Sequence, residues 1–232
     1  MQNSHSQSKS ALMHPAFAFQ RISLAVCILL MPLSITLYLL TWEGNQRAPL
    51  TPLLTSAMAG TTGNTLHFVG ALAASFFLPL GYLGMSLLGM RRAPWLATFS
   101  AALSLLGWIP WAALMGLDSL AYDINRLGRT AQFTTLWTYF NGDPVMTIYL
   151  LIYVIGHLLS AVFIGFMLGR LRLIPTWAAW AFALTSPLTI PIFLIHGLAF
   201  QDIFKYLLCL LWFMGAVPAA LAMLTSKDVM PS

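Results

Sequence analysis

The chain alternates long apolar runs with short polar breaks. Six runs stand out: Ile22–Trp42, Leu66–Met90, Pro94–Gly116, Met146–Gly169, Pro175–His196 and Ile203–Thr225. Each holds about 20 residues or slightly more, the length a helix needs to cross the ~30 Å hydrocarbon layer of a bilayer. The pattern predicts an all-α fold, a polytopic bundle of six transmembrane helices over residues 21–226. Residues 1–20, rich in Ser, Gln and His without apolar periodicity, are expected to form a mobile tail, and residues 227–232 a second short one. No small-residue cleavage pattern follows the first run, which is also longer than a signal-peptide core, so it is expected to stay as a helix. Boundaries carry physical markers. Asp143 before Pro144 offers an N-cap and a pre-set first helical residue, and Asn64 offers a cap for the second run. Trp42, Trp95, Trp137 and Trp177 fall near run ends, where interfacial anchors sit.

The fourth run carries the most informative pattern. Stepping by four through it gives Tyr149, Tyr153, His157, Ala161, Gly165 and Gly169, one helix face because residues four apart stack. Its first half offers two phenols and an imidazole. The second half is nearly free of side chain, and Ala161, Gly165 and Gly169 form an expected close-packing surface for a neighbouring helix.

Composition agrees with the pattern. The 232 residues are 59% hydrophobic and only 7% charged, whereas soluble domains run near a quarter charged. Lipid must therefore be the solvent for most of the chain. The net charge of +5 is dispersed between apolar runs and sets orientation, so no nucleic-acid partner is expected. With six crossings, one side carries Lys9, Arg21, Arg91, Arg92, Arg170, Arg172 and Lys227, and the other Arg47, Arg126, Arg129 and Lys205. The richer side is the cytoplasm, which places both termini there. The outer segments Glu43–Asn64 and Leu117–Pro144 are long and polar, and long loops often carry function. A weak echo, Gly89, Arg92, Pro94, Pro110 against Gly169, Arg172, Pro175, Pro191, is either a duplicated hairpin or the convergence of cytoplasmic turns on one composition.

His157 lies about 17 Å down its helix at 1.5 Å per residue, close to mid-membrane. An ionisable residue at that depth should face protein or water and marks a functional hypothesis, the alternative being a neutral, hydrogen-bonded structural histidine. Haem between two histidines would need partners at matching depth. His67 and His196 both lie at outer helix ends, so no cofactor is expected. Those two share a level with Asp118 and Asp143, an outer polar cluster whose simpler reading is interfacial side chains reaching water. Cys27 and Cys209 fall in opposite halves of their helices and are expected as free thiols, and no Cys/His metal spacing exists. Prolines interrupt every run except the fourth. The most disturbed stretch is Thr185–Pro191, where freed carbonyls need hydroxyls or water. Ser186 and Thr189 there are candidate walls of a pocket floored by Tyr149, Tyr153 and His157. No HExxH, GxSxG or phosphate-loop signature is present, so no catalytic residue is assigned.

The segment GHLLSAVFIGFMLGRLRLIPTWAAWAF, with RRAPWLATFSAALSLLGWIPW before it, resembles uncharacterised multi-pass inner-membrane proteins of bacteria across Leu66–Pro191. The resemblance implies a bacterial inner-membrane location and a six-helix bundle, and transfers no functional residue. Three readings follow: a bundle that binds, passes or senses a small molecule from the outer side; an intramembrane enzyme acting on a lipid or isoprenoid; or an accessory subunit whose Gly165/Gly169 surface docks a partner helix or a second copy.

Overall fold

The computed structural model describes residues 15–41, 62–126, 135–136, 139, 142–194 and 198–225, with backbone only at 62–64, 117–118, 121–126, 192–194 and 198–201. His196, Trp42, Trp137, most of the first outer segment, and most of both tails lie outside them. Among the described residues every regular element is a helix: α1 (Pro15–Leu40), α2 (Thr62–Leu88), α3 (Pro94–Arg126), α4 (Pro144–Arg170), α5 (Thr176–Thr185), α6 (Thr189–Leu194) and α7 (Leu198–Thr225). Five of them, α1, α2, α3, α4 and α7, are long and apolar enough to cross a membrane.

The expected span Pro175–His196 is not one helix. It is α5, of 10 residues, then a turn, then α6, of 6 residues. At 1.5 Å per residue α5 covers about 15 Å, half the hydrocarbon layer. The cause is local. Pro187 and Pro191 have no amide proton, and the chain tightens to three-residue bonds, Thr189 N to Ser186 O (3.0 Å) and Ile190 N to Pro187 O (3.1 Å). Elsewhere the helices outrun the sequence pattern. α1 starts at Pro15, inside the stretch read as tail, and α3 continues ten residues past Gly116. α2 starts at Thr62, so Asn64 sits in its first turn and is not its cap. Asp143 does cap α4, its carboxylate accepting from Val145 N (2.8 Å) and Met146 N (3.2 Å), with Pro144 as the first helical residue.

The long helices close into a ring in which each packs on the next in sequence, α1–α2–α3–α4–α5–α7, and α7 returns to α1. α2 also reaches across the ring to α4 and α7. Outward faces are as apolar as inward ones: Ile148, Leu151, Ile155, Leu159, Val162 and Phe166 form an exposed stripe along α4. That is the pattern of a helix bathed in lipid, where burial gains dispersion contacts and little hydrophobic driving force.

Small residues set the closest approaches. α3 crosses α4 backbone to backbone at Gly107 and Gly156; a Cβ on Gly156 would stand 2.6 Å from both Cα and N of Gly107. α4 meets α5 at Gly165, where a Cβ would fall 2.6 Å from Ala179 O, and Gly169 faces the Ala179 methyl. At one end of the ring, buried Arg21 of α1 ties the start of the bundle to its finish, donating through Nε to Met223 O (2.9 Å) and through Nη2 to Leu224 O. Those carbonyls close α7 and have no helical partner of their own.

Candidate functional site

Hydroxyls along the helices mostly bond back to their own backbone. Ser75 Oγ donates to Ala71 O, Ser86 Oγ to Tyr82 O, Ser104 Oγ to Ser100 O and Ser160 Oγ to His157 O, all at 2.7–3.0 Å. Such bonds hide polar groups where no water competes. Four buried side-chain atoms do not manage it among the described residues: Thr36 Oγ1, Ser100 Oγ, Trp108 Nε1 and Trp212 Nε1. Two of these belong to one cluster of rings at the centre of the ring of helices.

That cluster is built around Trp108 on α3. Its indole meets Tyr82 of α2 (centroids 5.3 Å apart), His157 (5.5 Å) and Tyr153 (6.3 Å) of α4, and Trp212 of α7 (6.2 Å). Tyr82 in turn touches Phe182 of α5 at 5.1 Å. Most pairs are edge-on or tilted, the geometry the ring quadrupoles favour. Through Trp111 the cluster runs on to Tyr38 at the end of α1 (5.4 Å) and to His67 near the start of α2 (4.3 Å from Tyr38). All six members of the helix ring therefore contribute at least one aromatic side chain.

His157 is 5% exposed. Its ring stacks on Tyr153 one turn earlier, 4.6 Å apart and 16° from parallel. Nδ1 lies 3.0 Å from Tyr153 O; a carbonyl can only accept, so Nδ1 carries the proton and Nε2 presents a lone pair. Also against Trp108, a polar node gathers at the break between α5 and α6. The Tyr82 and Ser186 hydroxyls share one long bond of 3.4 Å. Thr185 Oγ1 and Trp108 Nε1 also face the Tyr82 hydroxyl, but Thr185 donates to Phe182 O (2.7 Å) and Trp108 Nε1 does not reach hydrogen-bond geometry.

The structure thus brings Tyr153, His157 and Ser186 to one neighbourhood, linked by Tyr82 and Trp108. Tyr149 is half-buried one turn outward, and Thr189 turns its hydroxyl back onto Ser186 O at 2.6 Å. The proposed outer cluster is described only in part. His67 donates from Nδ1 to Tyr38 O (2.8 Å), and Asp143 is occupied as a helix cap. The Asp118 side chain and His196 are not described. The charge that does lie near His67 is Lys205, paired with Asp202 at 3.3 Å. Among the described residues no group of three His, Cys, Asp or Glu side chains has the arrangement of a metal site. Cys27 and Cys209 are free. Ala161 and Gly165 are fully buried, and α5 of the same chain already covers the Gly165 surface.

Sequence reasoning missed Tyr82, Trp108, Trp111, Phe182 and Trp212. A signal was present for two of them. Trp108 and Trp212 lie well inside their apolar runs and away from the run ends, and an indole N–H at that depth needs an acceptor.

Comparison with protein-family models, with curated proteins and with solved structures found no match for this chain.

Proposed function

We propose that the chain is a six-crossing protein of a bacterial inner membrane, termini cytoplasmic, that binds a small molecule reaching its core from the outer side, as a transporter or sensor does. The observation that carries this reading is the Trp108 indole N–H. It is 97% buried yet unpaired, beside a Tyr82–Ser186 pair held by one stretched bond. Buried donors in folded proteins are nearly always satisfied, and an exception calls for a water, an ion or a ligand. Here the unused capacity collects on α2 and α3, at the break between α5 and α6 and against an imidazole of α4 with a free lone pair. Broken helices build binding sites at mid-membrane in transporter folds. The row from Trp108 through Trp111 and Tyr38 to His67 supports access from the outer end.

The chemistry of the node defines the guest. Indole and hydroxyl donors call for an oxygen acceptor, flat rings call for an apolar or ring-shaped body, and the absence of charged side chains from the cluster among the described residues calls for a neutral molecule. The six crossings take α5 and α6 together as one interrupted passage.

The test uses detergent-purified full-length protein and its thermal midpoint with cyclohexanone as an acceptor-bearing probe and cyclohexane as its matched hydrocarbon. The account predicts a rise with the ketone alone, abolished in Trp108→Phe, which keeps a ring and removes the N–H, and reduced in His157→Ala. Equal responses to ketone and hydrocarbon, or a ketone response unchanged in Trp108→Phe, would contradict it.

A further inference from the structure

The helix ring is fastened at one end by two basic turns from separate hairpins. The first, between α2 and α3, folds through Arg92 N to Gly89 O (3.1 Å) and Ala93 N to Gly89 O (2.9 Å). The second closes α4 with Arg172 N to Gly169 O (3.1 Å) and Leu173 N to Leu168 O (3.0 Å). This pair of bonds is a Schellman closure, whose left-handed seat normally goes to glycine. Here the seat holds Arg172, at φ 52°, the one non-glycine residue with positive φ among those described. The two turns touch: Arg92 Nη1 donates to Leu171 O at 3.4 Å.

Arg91, Arg92, Arg170 and Arg172 are therefore gathered on one exposed surface. Trp95, 88% exposed, and Trp177 stand beside them at the starts of α3 and α5. Arg91, Arg170 and Arg172 have no carboxylate partner among the described residues. Residues 64–117 and 144–201, which include both hairpins, contain no Asp or Glu. Arg170 rests over the Phe166 ring at 5.9 Å, which turns its guanidinium toward the apolar flank of the bundle.

We propose that the paired turns seat the phosphate of an anionic phospholipid in the adjoining leaflet. Guanidinium forks match phosphate oxygens bidentately, and the exposed indoles lie where headgroup meets acyl chain. The strained seat is the second sign. Glycine would close the α4 helix with less strain, yet the position carries an exposed arginine. The inference rests on the membrane reading and is independent of the small-molecule site.

The experiment places full-length protein in nanodiscs of phosphatidylcholine with or without phosphatidylglycerol, and counts retained lipid by native mass spectrometry while recording the thermal midpoint. Wild type is expected to retain phosphatidylglycerol selectively. Arg172→Gly is expected to raise the midpoint in pure phosphatidylcholine while losing about fivefold of that selectivity, the effect of about 1 kcal/mol for one arginine at a membrane surface. Lys205→Gln, at the opposite end, is expected to leave selectivity unchanged. Retained selectivity in Arg172→Gly, equal retention of both lipids by wild type, or inorganic phosphate matching the stabilisation given by phosphatidylglycerol would each overturn the proposal. Failure to enter nanodiscs at all would overturn the membrane reading with it.

Discussion

At the scale of single residues, the polar side chains of this protein divide by whether their own backbone can satisfy them. Ser86, Ser104, Ser160 and Thr185 bond within one turn and ask nothing of a neighbour. His157 bonds within its helix through one nitrogen only, and the Trp108 and Trp212 indoles not at all. The two indoles lend themselves to a clean substitution. Were their N–H groups orphaned, phenylalanine would remove a desolvation penalty of about 1–3 kcal/mol and raise the thermal midpoint. With the ketone present the account predicts the opposite for Trp108→Phe, a midpoint below that of the wild type, because the guest held at the node is lost. Arg21 acts differently, as a clasp. Arg21→Ala leaves the last carbonyls of α7 unpaired and is expected to cost about 2 kcal/mol, the scale of a charge-assisted hydrogen bond. Arg21→Lys should recover part of it, measured by chemical denaturation in detergent.

At the scale of elements, packing is governed by where glycine lets two backbones touch. Gly156→Ala drives a methyl into the backbone of Gly107 and should destabilise by about 1–3 kcal/mol. Gly116→Ala is the internal control. A Cβ there meets nothing within 4 Å, so better helix propensity should stabilise by up to about 1 kcal/mol. Thermal midpoints of the two variants should move in opposite directions. The contrast also shows how far the sequence could be read. The four-residue ridge includes Gly165, where a Cβ would fall 2.6 Å from the Ala183 methyl across the seam. It passed over Gly156, which lies one residue off the ridge and matters only through Gly107 on another helix. The break at Ser186–Leu188 was legible from two prolines four residues apart. The extension of α1 back to Pro15 was not, since Pro15–Gln20 carries none of the apolar periodicity that marks a span. Helix ends outside the apolar run are decided by backbone hydrogen bonding, which the sequence marks only through a cap or a first-residue proline, as at Asp143–Pro144. The left-handed seat that closes α4 falls on Arg172, a position the four-residue ridge does not mark.

At the scale of the whole molecule, sequential neighbours close a ring, and α1 and α7 complete it through Arg21. Each strut gives a ring side chain to one connected aromatic cluster, and the outward surfaces carry many large apolar side chains. The proposed topology puts the two basic turns and both termini in the cytoplasm. A fluorescent protein fused after Ser232 should therefore glow, and alkaline phosphatase inserted at Gly60 should be active; the reverse pattern would invert the orientation and place the small-molecule entrance on the cytoplasmic side. The central claim is that the aromatic core holds a polar guest. A density map of the full-length protein in lipid nanodiscs, at a resolution that shows ordered water, tests it most directly. The account predicts non-protein density within hydrogen-bonding distance of Trp108 Nε1, bridging toward the Tyr82 and Ser186 hydroxyls. A Trp108 edge closed off by carbon atoms on every side, with no such density, would contradict it.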